Sequence, residues 1–222
     1  MNSKTALVFG STGLTGSYLL NCLLSDSRYE KVKVFVRRKT DLPISEKLEV
    51  TIVELASPEK YSSLLYGDDL FCCLGTTIAA AGSKEAFRKI DFDLPVKIAE
   101  EASKNNIFSF LIISSLGADT KSSNFYYKTK GETEEAIHKF SFRKISILRP
   151  SMLLGGRKEF RLGEIIGKEL MRALSFVFVG SLKKYKAIHA QNVAKAMVEI
   201  ANNDFGKTIF ESDEIRNIAK RV

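Results

Sequence analysis

The stretch Gly10-Ser11-Thr12-Gly13-Leu14-Thr15-Gly16 decides the fold of this 222-residue chain. It follows the apolar run Thr5-Ala6-Leu7-Val8-Phe9, whose composition is typical of a buried strand. Beyond it, Leu14, Tyr18 and Leu19 recur at helical spacing, so a helix is expected there. A strand, a glycine-rich turn and a helix in this order form the context in which a phosphate-binding motif becomes specific.

The three glycines of this stretch suit a loop that holds a phosphate. Gly10 permits a tight turn, Gly13 lets the main chain approach an anion closely, and Gly16 allows the helix to pack on the strand. The N–H groups at the start of the helix then point at the anion, assisted by the helix dipole. The spacing is G-x-x-G-x-x-G, which differs from the G-x-G-x-x-G of the general dinucleotide fold. An ordinary turn is the alternative, and we predict that a dinucleotide cofactor contacts Gly10, Ser11, Thr12, Gly13, Leu14, Thr15 and Gly16.

Composition and patterning predict a single α/β domain. Hydrophobic residues make up 45% of the chain, which is enough for a full core, and the sequence contains no internal repeat or linker. Strand-like and helix-like segments alternate, which predicts a doubly wound parallel sheet. We expect the core at residues 5–156 and a small C-terminal substrate-side segment at 157–222. Within that segment, 164–174 and 192–203 have helical patterns, and 206–210 is a candidate last strand.

The end of the second predicted strand, residues 31–36, indicates which dinucleotide is bound. In a doubly wound sheet the adenosine ribose lies at this point, and an acidic residue there would favour NAD. The chain instead has Arg37 and Arg38, whose guanidinium groups match a 2′-phosphate bidentately. We therefore predict that NADP(H) is preferred over NAD(H). A solvated cluster of charges at the strand end is the alternative.

Loops at the carboxyl ends of parallel strands supply the usual ligand contacts in such sheets. The strand predicted at 69–74 is expected beside the first strand, so that its end faces the cofactor. A helical pattern follows at 83–105, and Pro95 within it predicts a break or kink near 92–94. The cofactor contacts predicted from the loop that ends the strand at 69–74 are Leu74, Gly75, Thr76 and Thr77.

A serine pair, a tyrosine and a lysine form a candidate acid/base site. Ser114 and Ser115 end the apolar strand predicted at 107–113, and Tyr126 and Lys130 project from one face of the next helix at i and i+4. A tyrosine hydroxyl can donate its proton to a developing alkoxide, and a nearby ammonium favours the phenolate of a group whose ordinary pKa is about 10. The Tyr-x-x-x-Lys spacing alone is commonplace on solvated helices. Its combination with the glycine loop and the serine pair indicates carbonyl or alcohol chemistry with a nicotinamide.

These residues resemble a known family. The glycine loop, the serine pair and the Tyr-x-x-x-Lys motif are similar to those of the short-chain dehydrogenase/reductase superfamily, in its atypical branch. The resemblance is closer still to the Tat-interacting-protein-like group of NAD(P)-binding oxidoreductases, over roughly residues 5–156 and more weakly to about 213. The motifs that support it are Cys73-Leu74-Gly75-Thr76-Thr77, Ser114-Ser115-Leu116-Gly117-Ala118-Asp119, Ser122-Ser123-Asn124-Phe125, Lys130-Gly131-Glu132 and Leu148-Arg149-Pro150.

The resemblance implies a Rossmann fold and a role for each motif. Tyr126 would be the general acid/base, Lys130 would tune it and contact the ribose, and Ser115 would hold the substrate carbonyl. Asp91 falls where the superfamily often has an asparagine that completes a proton relay through water, which puts the full relay in doubt. The further cofactor contacts implied are Ser114, Tyr126, Lys130, Pro150, Met152 and Leu153.

The function predicted from these observations is NADP(H)-dependent hydride transfer to or from a small carbonyl or alcohol substrate. The alternative is a non-catalytic NADP(H)-sensing protein whose occupancy regulates a protein partner. The net charge of +8 is scattered, without a base-reading pattern, so no nucleic-acid partner is predicted. The substrate pocket is expected from the loop after Gly117, the segment after Pro150 and the apolar region 159–186, which could equally be core or a dimer face.

The remaining predictions concern location and assembly. No run is long enough to span a bilayer, and residues 1–4 lead straight into the first strand, which leaves no room for a signal peptide. Three cysteines in apolar runs suggest reduced thiols, so a cytoplasmic protein is predicted. His138 and His189 lack ligand-like neighbours, so no metal site is predicted. A monomer and a homodimer both remain open.

Overall fold

The computed structural model describes residues 3–155 and 180–221. Its centre is a seven-stranded parallel sheet, accompanied by one short pair of parallel strands. The strands are β1 (Lys4–Phe9), β2 (Tyr29–Val36), β3 (Leu48–Ile52), β4 (Asp69–Cys72), β5 (Ser109–Ile113), β6 (Lys144–Arg149), β7 (Leu153–Leu154), β8 (Ile188–His189) and β9 (Ile209–Glu211). The order in the large sheet is β3-β2-β1-β4-β5-β6-β9, and β7 pairs with β8. This doubly wound, single-domain Rossmann fold confirms the predicted fold class.

The helices cover both faces of the sheet. They are α1 (Leu14–Ser25), α2 (Ile78–Ala81), α3 (Lys84–Arg88), α4 (Leu94–Lys104), α5 (Phe125–Ile137), α6 (Ala190–Asn202) and α7 (Ser212–Ala219). Two 3₁₀ segments, at Pro58–Leu64 and Gly180–Tyr185, and a π-helical turn at Lys89–Asp93 complete the described elements.

Alternation along the strands divides the core into two layers. On β1, Ala6 and Val8 belong to the layer that contains Leu19 of α1 and Met197 of α6. The alternate residues Leu7 and Phe9 belong to the opposite layer, with the buried residues of α4 and with Ile137 of α5. Successive strand residues point to opposite faces, so an apolar run such as β1 is buried on both sides only when helices cover both.

The helical segment around Pro95 is not interrupted, and a wider turn stands where a break or kink was expected. A π-helical turn at Lys89–Asp93 joins α3 to α4, and the Leu94 N–H donates to the carbonyl of Lys89, five residues earlier. Pro95 has no N–H to offer the carbonyl of Asp91. That carbonyl instead accepts a hydrogen bond of 2.9 Å from the Thr133 hydroxyl of α5. The turn before the proline is therefore wider than an α-helical turn, and the Thr133 hydrogen bond connects it to α5.

The C-terminal part adds to the sheet and to its helix layer. The strand predicted at 206–210 is β9, which pairs with β6, and the helix predicted at 192–203 is α6. Helix α7 was not predicted from the sequence. The predicted core ended at residue 156, whereas β9 and α6 complete the sheet and its covering layer beyond that point. The helix predicted at 164–174 lies outside the described residues.

A buried polar network joins the four central strands at their first residues. The Asp69 carboxylate, at the start of β4, is completely buried. It accepts from Lys4 Nζ at 3.0 Å, from the Tyr29 hydroxyl at 2.8 Å and from the Ser109 hydroxyl at 2.5 Å. Asn202 of α6 donates to the same tyrosine oxygen at 2.9 Å. Burial and the Asp69 charge raise the pKa of Tyr29 above its ordinary value, so its hydroxyl stays a donor.

We expect Asp69→Ala to lower the free energy of unfolding by about 3 kcal/mol, because it leaves Lys4, Tyr29 and Ser109 without their shared acceptor. The matched control is Glu49→Ala, whose 3.5 Å ion pair with Lys31 is about half exposed on both sides; its loss should be about 0.5 kcal/mol or less. Urea unfolding of both variants measures the difference. Equal losses would contradict this account of the network.

Candidate functional site

A cleft of about 760 Å³ opens at the carboxyl ends of the central strands. The loops that follow β1, β4, β5 and β6 line it, together with α5, so the chain brings its separate motifs together at one edge of the sheet. The sequence-predicted residues that line it are Gly13, Leu14, Thr15, Leu74, Gly75, Thr76, Thr77, Ser114, Ser115, Tyr126, Lys130, Pro150, Met152 and Leu153. Those that do not are Gly10, Ser11, Thr12, Gly16, Arg37 and Arg38.

Gly10 and Gly16 are required by close backbone contacts. Gly10 has φ of +81°, and a Cβ there would lie 2.6 Å from the Cys73 carbonyl oxygen at the end of β4. A Cβ on Gly16 would lie 2.0 Å from the carbonyl oxygen of Gly10. The first loop, the end of β4 and the first turn of α1 therefore pack backbone against backbone, which no other residue at these positions allows.

The start of α1 is free to bind an anion. Its N-cap, Gly13, contributes no side-chain cap, and its first turn contains no acidic residue. The buried Ser11 hydroxyl of the same loop has no hydrogen-bond partner among the described residues. Free N–H groups at a helix N-terminus bind phosphates because the helix dipole adds to their hydrogen bonds. The loop therefore fits the pyrophosphate of a dinucleotide.

Arg37 and Arg38 follow β2 and are exposed. They lie at the carboxyl end of that strand, as the sequence analysis expected, but outside the residues that line the cleft. Both side chains are solvated in this structure.

Tyr126 and Lys130 both lie on the cleft side of α5. Asn124 caps this helix, accepting from the Tyr126 N–H at 2.9 Å, and the Tyr126 ring packs on Phe87 of α3 with ring centroids 5.5 Å apart. Tyr127, next to it, is 37% exposed. The predicted pair thus shares one face, with the phenol ring held by aromatic packing and the lysine one turn deeper.

Lys130 forms a buried ion pair with Asp91. Its Nζ lies 2.7 Å from Asp91 Oδ1, and the two side chains are 8% and 0% exposed. At this distance the two buried charges form a direct salt bridge. Burial by itself would lower the pKa of Lys130, but the Asp91 carboxylate outweighs it, with Tyr126 adding to the effect, and that pKa is raised. The ammonium therefore keeps its charge.

Asp91 also holds the loop after β4. Its Oδ2 accepts from the Thr76 N–H at 2.8 Å, and a Cβ on Gly75 would lie 3.4 Å from its Oδ1. The sequence placed Asp91 in the helical pattern at 83–105 but did not indicate its partners, because Lys130 and Thr76 approach it only in the folded chain.

The two serines after β5 differ in their contacts. The Ser114 hydroxyl is buried and donates to Glu134 of α5. Glu134 in turn forms a bidentate ion pair with Arg149, with the Nη2–Oε2 distance at 2.5 Å. The Ser115 hydroxyl is half-buried, lines the cleft, and among the described residues makes a single 3.3 Å contact, with the carbonyl oxygen of Leu116. Of the two hydroxyls, only that of Ser115 is without a side-chain partner among the described residues.

Sequence reasoning missed several residues at the cleft. Lys184 pairs with Glu211 at 3.0 Å, and the Ser151 hydroxyl donates to the carbonyl of Lys186 at 2.6 Å. These contacts fix part of the segment predicted to form a substrate pocket against β9 and the loop after β6. No spacing in the sequence links them. The cleft-lining residues that were not singled out as site residues include Arg149, Ser151, Lys184, Tyr185 and Glu211.

Within residues 3–155 and 180–221, no group of three or more His, Cys, Asp or Glu side chains could hold a metal ion. In the same part of the chain, no helix is long and apolar enough to cross a membrane. The three cysteines are free thiols.

The sheet, the uncapped helix start and the cleft define a nucleotide-binding protein of the Rossmann type. The chain belongs to the NAD(P)H-binding family, which matches residues 10–204. It is 34% identical to Protein HTATIP2 of Rattus norvegicus over 177 residues, which cover 78% of this chain and 73% of that protein. It is 31% identical to Protein FMP52-1, mitochondrial, of Scheffersomyces stipitis, covering 98% of this chain and 100% of that protein.

A solved structure supports the fold independently. The Bordetella bronchiseptica enzyme WbmH, crystallised in complex with NAD+, superposes with a TM-score of 0.71 at 15% identity. The match covers 99% of this chain and 80% of that one. At this identity the likeness concerns the fold. The family match and the relatives confirm the predicted resemblance to NAD(P)-binding proteins of the Tat-interacting-protein-like group.

The predicted cytoplasmic location is wrong. The fungal relatives from Scheffersomyces stipitis, Debaryomyces hansenii, Candida albicans and Candida glabrata are named as mitochondrial proteins. The prediction rested on the three cysteines and on residues 1–4. Free thiols indicate a reducing environment and do not distinguish one reducing compartment from another.

We expect Gly10→Ala to destabilise the fold far more than Gly82→Ala. Both glycines have positive φ, +81° and +86°, so both variants incur left-handed strain of about 1 kcal/mol. Only at Gly10 would the new Cβ collide with backbone, at 2.6 Å, whereas Gly82 has nothing within 4 Å. The collision should add about 2 kcal/mol or more. Chemical denaturation measures both variants, and equal losses would refute the close-contact explanation.

Proposed function

We propose that this protein is an NADP(H)-dependent reductase that transfers hydride between the nicotinamide and a small carbonyl or alcohol substrate. The observation that supports this most strongly is the convergence of Ser115, Tyr126 and Lys130 on the cleft that begins at the uncapped start of α1. A nucleotide-binding loop and an acid/base group therefore share one cavity, as this chemistry requires.

The glycine loop would hold the pyrophosphate, and Thr76 and Thr77 would lie beside the nicotinamide end. Both threonines line the cleft, and the Thr76 N–H is held by Asp91 at 2.8 Å. Pro150, Met152 and Leu153 would complete the contacts on the other side of the cavity. The preference for the phosphorylated cofactor rests on Arg37 and Arg38, which offer planar donors where NAD-specific proteins place a carboxylate.

The chain's own residues supply orientation and a proton. The nicotinamide, when bound, supplies the hydride. The Tyr126 hydroxyl would donate its proton to the carbonyl oxygen as negative charge develops there, and the Ser115 hydroxyl would hold that oxygen by a second hydrogen bond. Lys130, kept protonated by Asp91, would stabilise the phenolate that remains.

The alternative is a regulatory protein that binds NADP(H) without turnover. The Asp91–Lys130 ion pair favours it in one respect, because a lysine whose charge is compensated activates a tyrosine less strongly. Steady NADPH consumption with a panel of small carbonyl compounds distinguishes the two functions. Tight binding without consumption at any protein concentration would favour the regulatory protein.

We expect calorimetric titration to show tighter binding of NADPH than of NADH. The double variant Arg37→Ala/Arg38→Ala should lose about tenfold to a hundredfold in NADPH affinity and little in NADH affinity, because charge-assisted bonds to the 2′-phosphate are lost. Arg143→Ala is the control, because Arg143 is exposed and lies at the amino end of β6, whereas the cleft lies at the carboxyl ends of the strands. Equal NADPH affinity in all three proteins would exclude the arginines from the site.

We expect Tyr126→Phe to reduce carbonyl reduction by about 10²- to 10⁴-fold while NADPH still binds, because only the proton donor is removed and the ring keeps its packing on Phe87. Tyr127→Phe is the matched control; this neighbouring tyrosine also lines the cleft and should leave the rate nearly unchanged. Rates come from NADPH absorbance and binding from calorimetry. Full activity in Tyr126→Phe would contradict the role of Tyr126 as the proton donor.

A further inference from the structure

The loop after β4 is exposed at Gly75, yet a buried side chain from another element holds its main chain. We propose that Asp91 is a positioning residue that fixes this loop at Gly75 and Thr76 before a nucleotide binds, so that one wall of the cleft is preformed. The proposal goes beyond hydride transfer. It rests on nucleotide binding in the cleft and applies equally to a reductase and to a regulatory protein.

The first support is the hydrogen bond that joins Asp91 to the loop. The Thr76 N–H donates to Asp91 Oδ2 at 2.8 Å, and the carboxylate is completely buried, so water does not compete for this oxygen. A main-chain N–H that donates to an ionised acceptor forms one of the stronger hydrogen bonds in proteins. Thr76 is therefore anchored to the protein interior, although the loop itself reaches the surface.

The second support is that Asp91 is itself fixed, at two points on α5. Its Oδ1 lies 2.7 Å from Lys130 Nζ, and its main-chain carbonyl accepts from the Thr133 hydroxyl at 2.9 Å. Residues 130 and 133 are three apart on a helix and therefore lie on one face. Because Pro95 offers no N–H, the Asp91 carbonyl is available to α5. The carboxylate cannot follow the loop outward without breaking these contacts.

The third support is the close approach of the loop to the ion pair. A Cβ on Gly75 would lie 3.4 Å from Asp91 Oδ1 and 3.7 Å from Lys130 Nζ, which are ordinary van der Waals distances. The gap between the Gly75 main chain and the two charged groups is therefore about as wide as a methyl group. Gly75, Thr76, Asp91 and Lys130 all line the cleft, and together they form one of its walls.

A preformed wall affects both affinity and signalling. Ordering a backbone residue on binding lowers the affinity, and a loop that is already ordered avoids this loss, which amounts to about tenfold per residue. A ligand shifts a conformational equilibrium only when the alternative conformations bind it differently. Because the loop after β4 would have one conformation, a regulatory signal of occupancy would have to come from another part of the cleft.

Amide hydrogen exchange of the unaltered chain without nucleotide tests the proposal directly. We expect the Thr76 amide to exchange at least about thirtyfold more slowly than the same amide in an unstructured peptide. The Ala80 amide is the internal reference, because its bond to Thr77 Oγ1 is 3.2 Å long and exposed, and it should be protected less than Thr76. Exchange of Thr76 at the rate of an unstructured peptide would overturn the proposal.

Two double variants separate the hydrogen bond from the ion pair. Asp91→Asn/Lys130→Met and Asp91→Leu/Lys130→Met both replace the buried charges with neutral side chains of similar size, so neither leaves a lone charge. Only the asparagine variant retains an oxygen that can accept from Thr76. We expect the Thr76 amide to exchange about tenfold faster in the leucine variant, with the Ala80 amide unchanged, since a loss of overall stability alone would affect both amides. Equal Thr76 exchange in the two variants would contradict the positioning role.

Calorimetric titration with NADPH measures what the preformed loop contributes to binding. Both double variants lack Lys130, so any loss of affinity from that residue is common to them. The leucine variant should bind NADPH about tenfold more weakly than the asparagine variant, because it must order the loop on binding. Equal affinities would show that the order of the loop does not contribute, and the proposal would fail. Exchange in the unaltered chain remains decisive if either double variant does not fold.

The exchange measurement and the activity assay fail independently. A protein whose Thr76 amide is protected without nucleotide, but which reduces no carbonyl compound, would retain the Asp91 inference and lose the proposed reductase function. A protein that reduces carbonyl compounds while its Thr76 amide is unprotected would retain the function and lose the inference.

Discussion

The whole site depends on a backbone contact that only glycine permits. The first loop approaches the end of β4 so closely that a Cβ on Gly10 would fall 2.6 Å from the Cys73 carbonyl, and Gly16 brings α1 equally close to that loop. This contact sets the distance between the start of α1 and the loop after β4. The cleft is the space that remains between them, so its shape follows from main-chain packing before any functional side chain is considered.

Buried polar contacts then fix the side chains around this space. Asp91 joins the π-helical turn, the loop after β4 and α5, while Glu134 joins α5 to Ser114 and Arg149 at the ends of β5 and β6. Each carboxylate is matched by cations and donors, as buried charges must be. The Ser115 hydroxyl and the Tyr126 phenol, which also line the cleft, take no part in these two ion-pair networks.

The sequence was sufficient for the parts of this arrangement that are local. The glycine spacing, the strand and helix periodicities and the Tyr126–Lys130 pair each lie within a short window, and the fold class and family followed from them. The partners of Lys130 and Ser114 could not be predicted, because Asp91 and Glu134 approach them through tertiary packing. The π-helical turn was expected only as a break or kink, because Pro95 shows that a hydrogen bond is lost but not that Thr133 replaces the donor.

Ion pairing within the cleft also determines how binding responds to dissolved salt. The cations that line it among the described residues, Lys130, Arg149 and Lys184, are each matched by a carboxylate. Within the cleft, the attraction left for an anionic ligand would therefore come from the peptide dipoles of α1, whose effect is limited to about the first helical turn. The chain's net charge of +8 lies mainly outside the cleft. Ionic strength would thus act on a charged ligand chiefly through the exposed cations outside the cleft, which steer its approach.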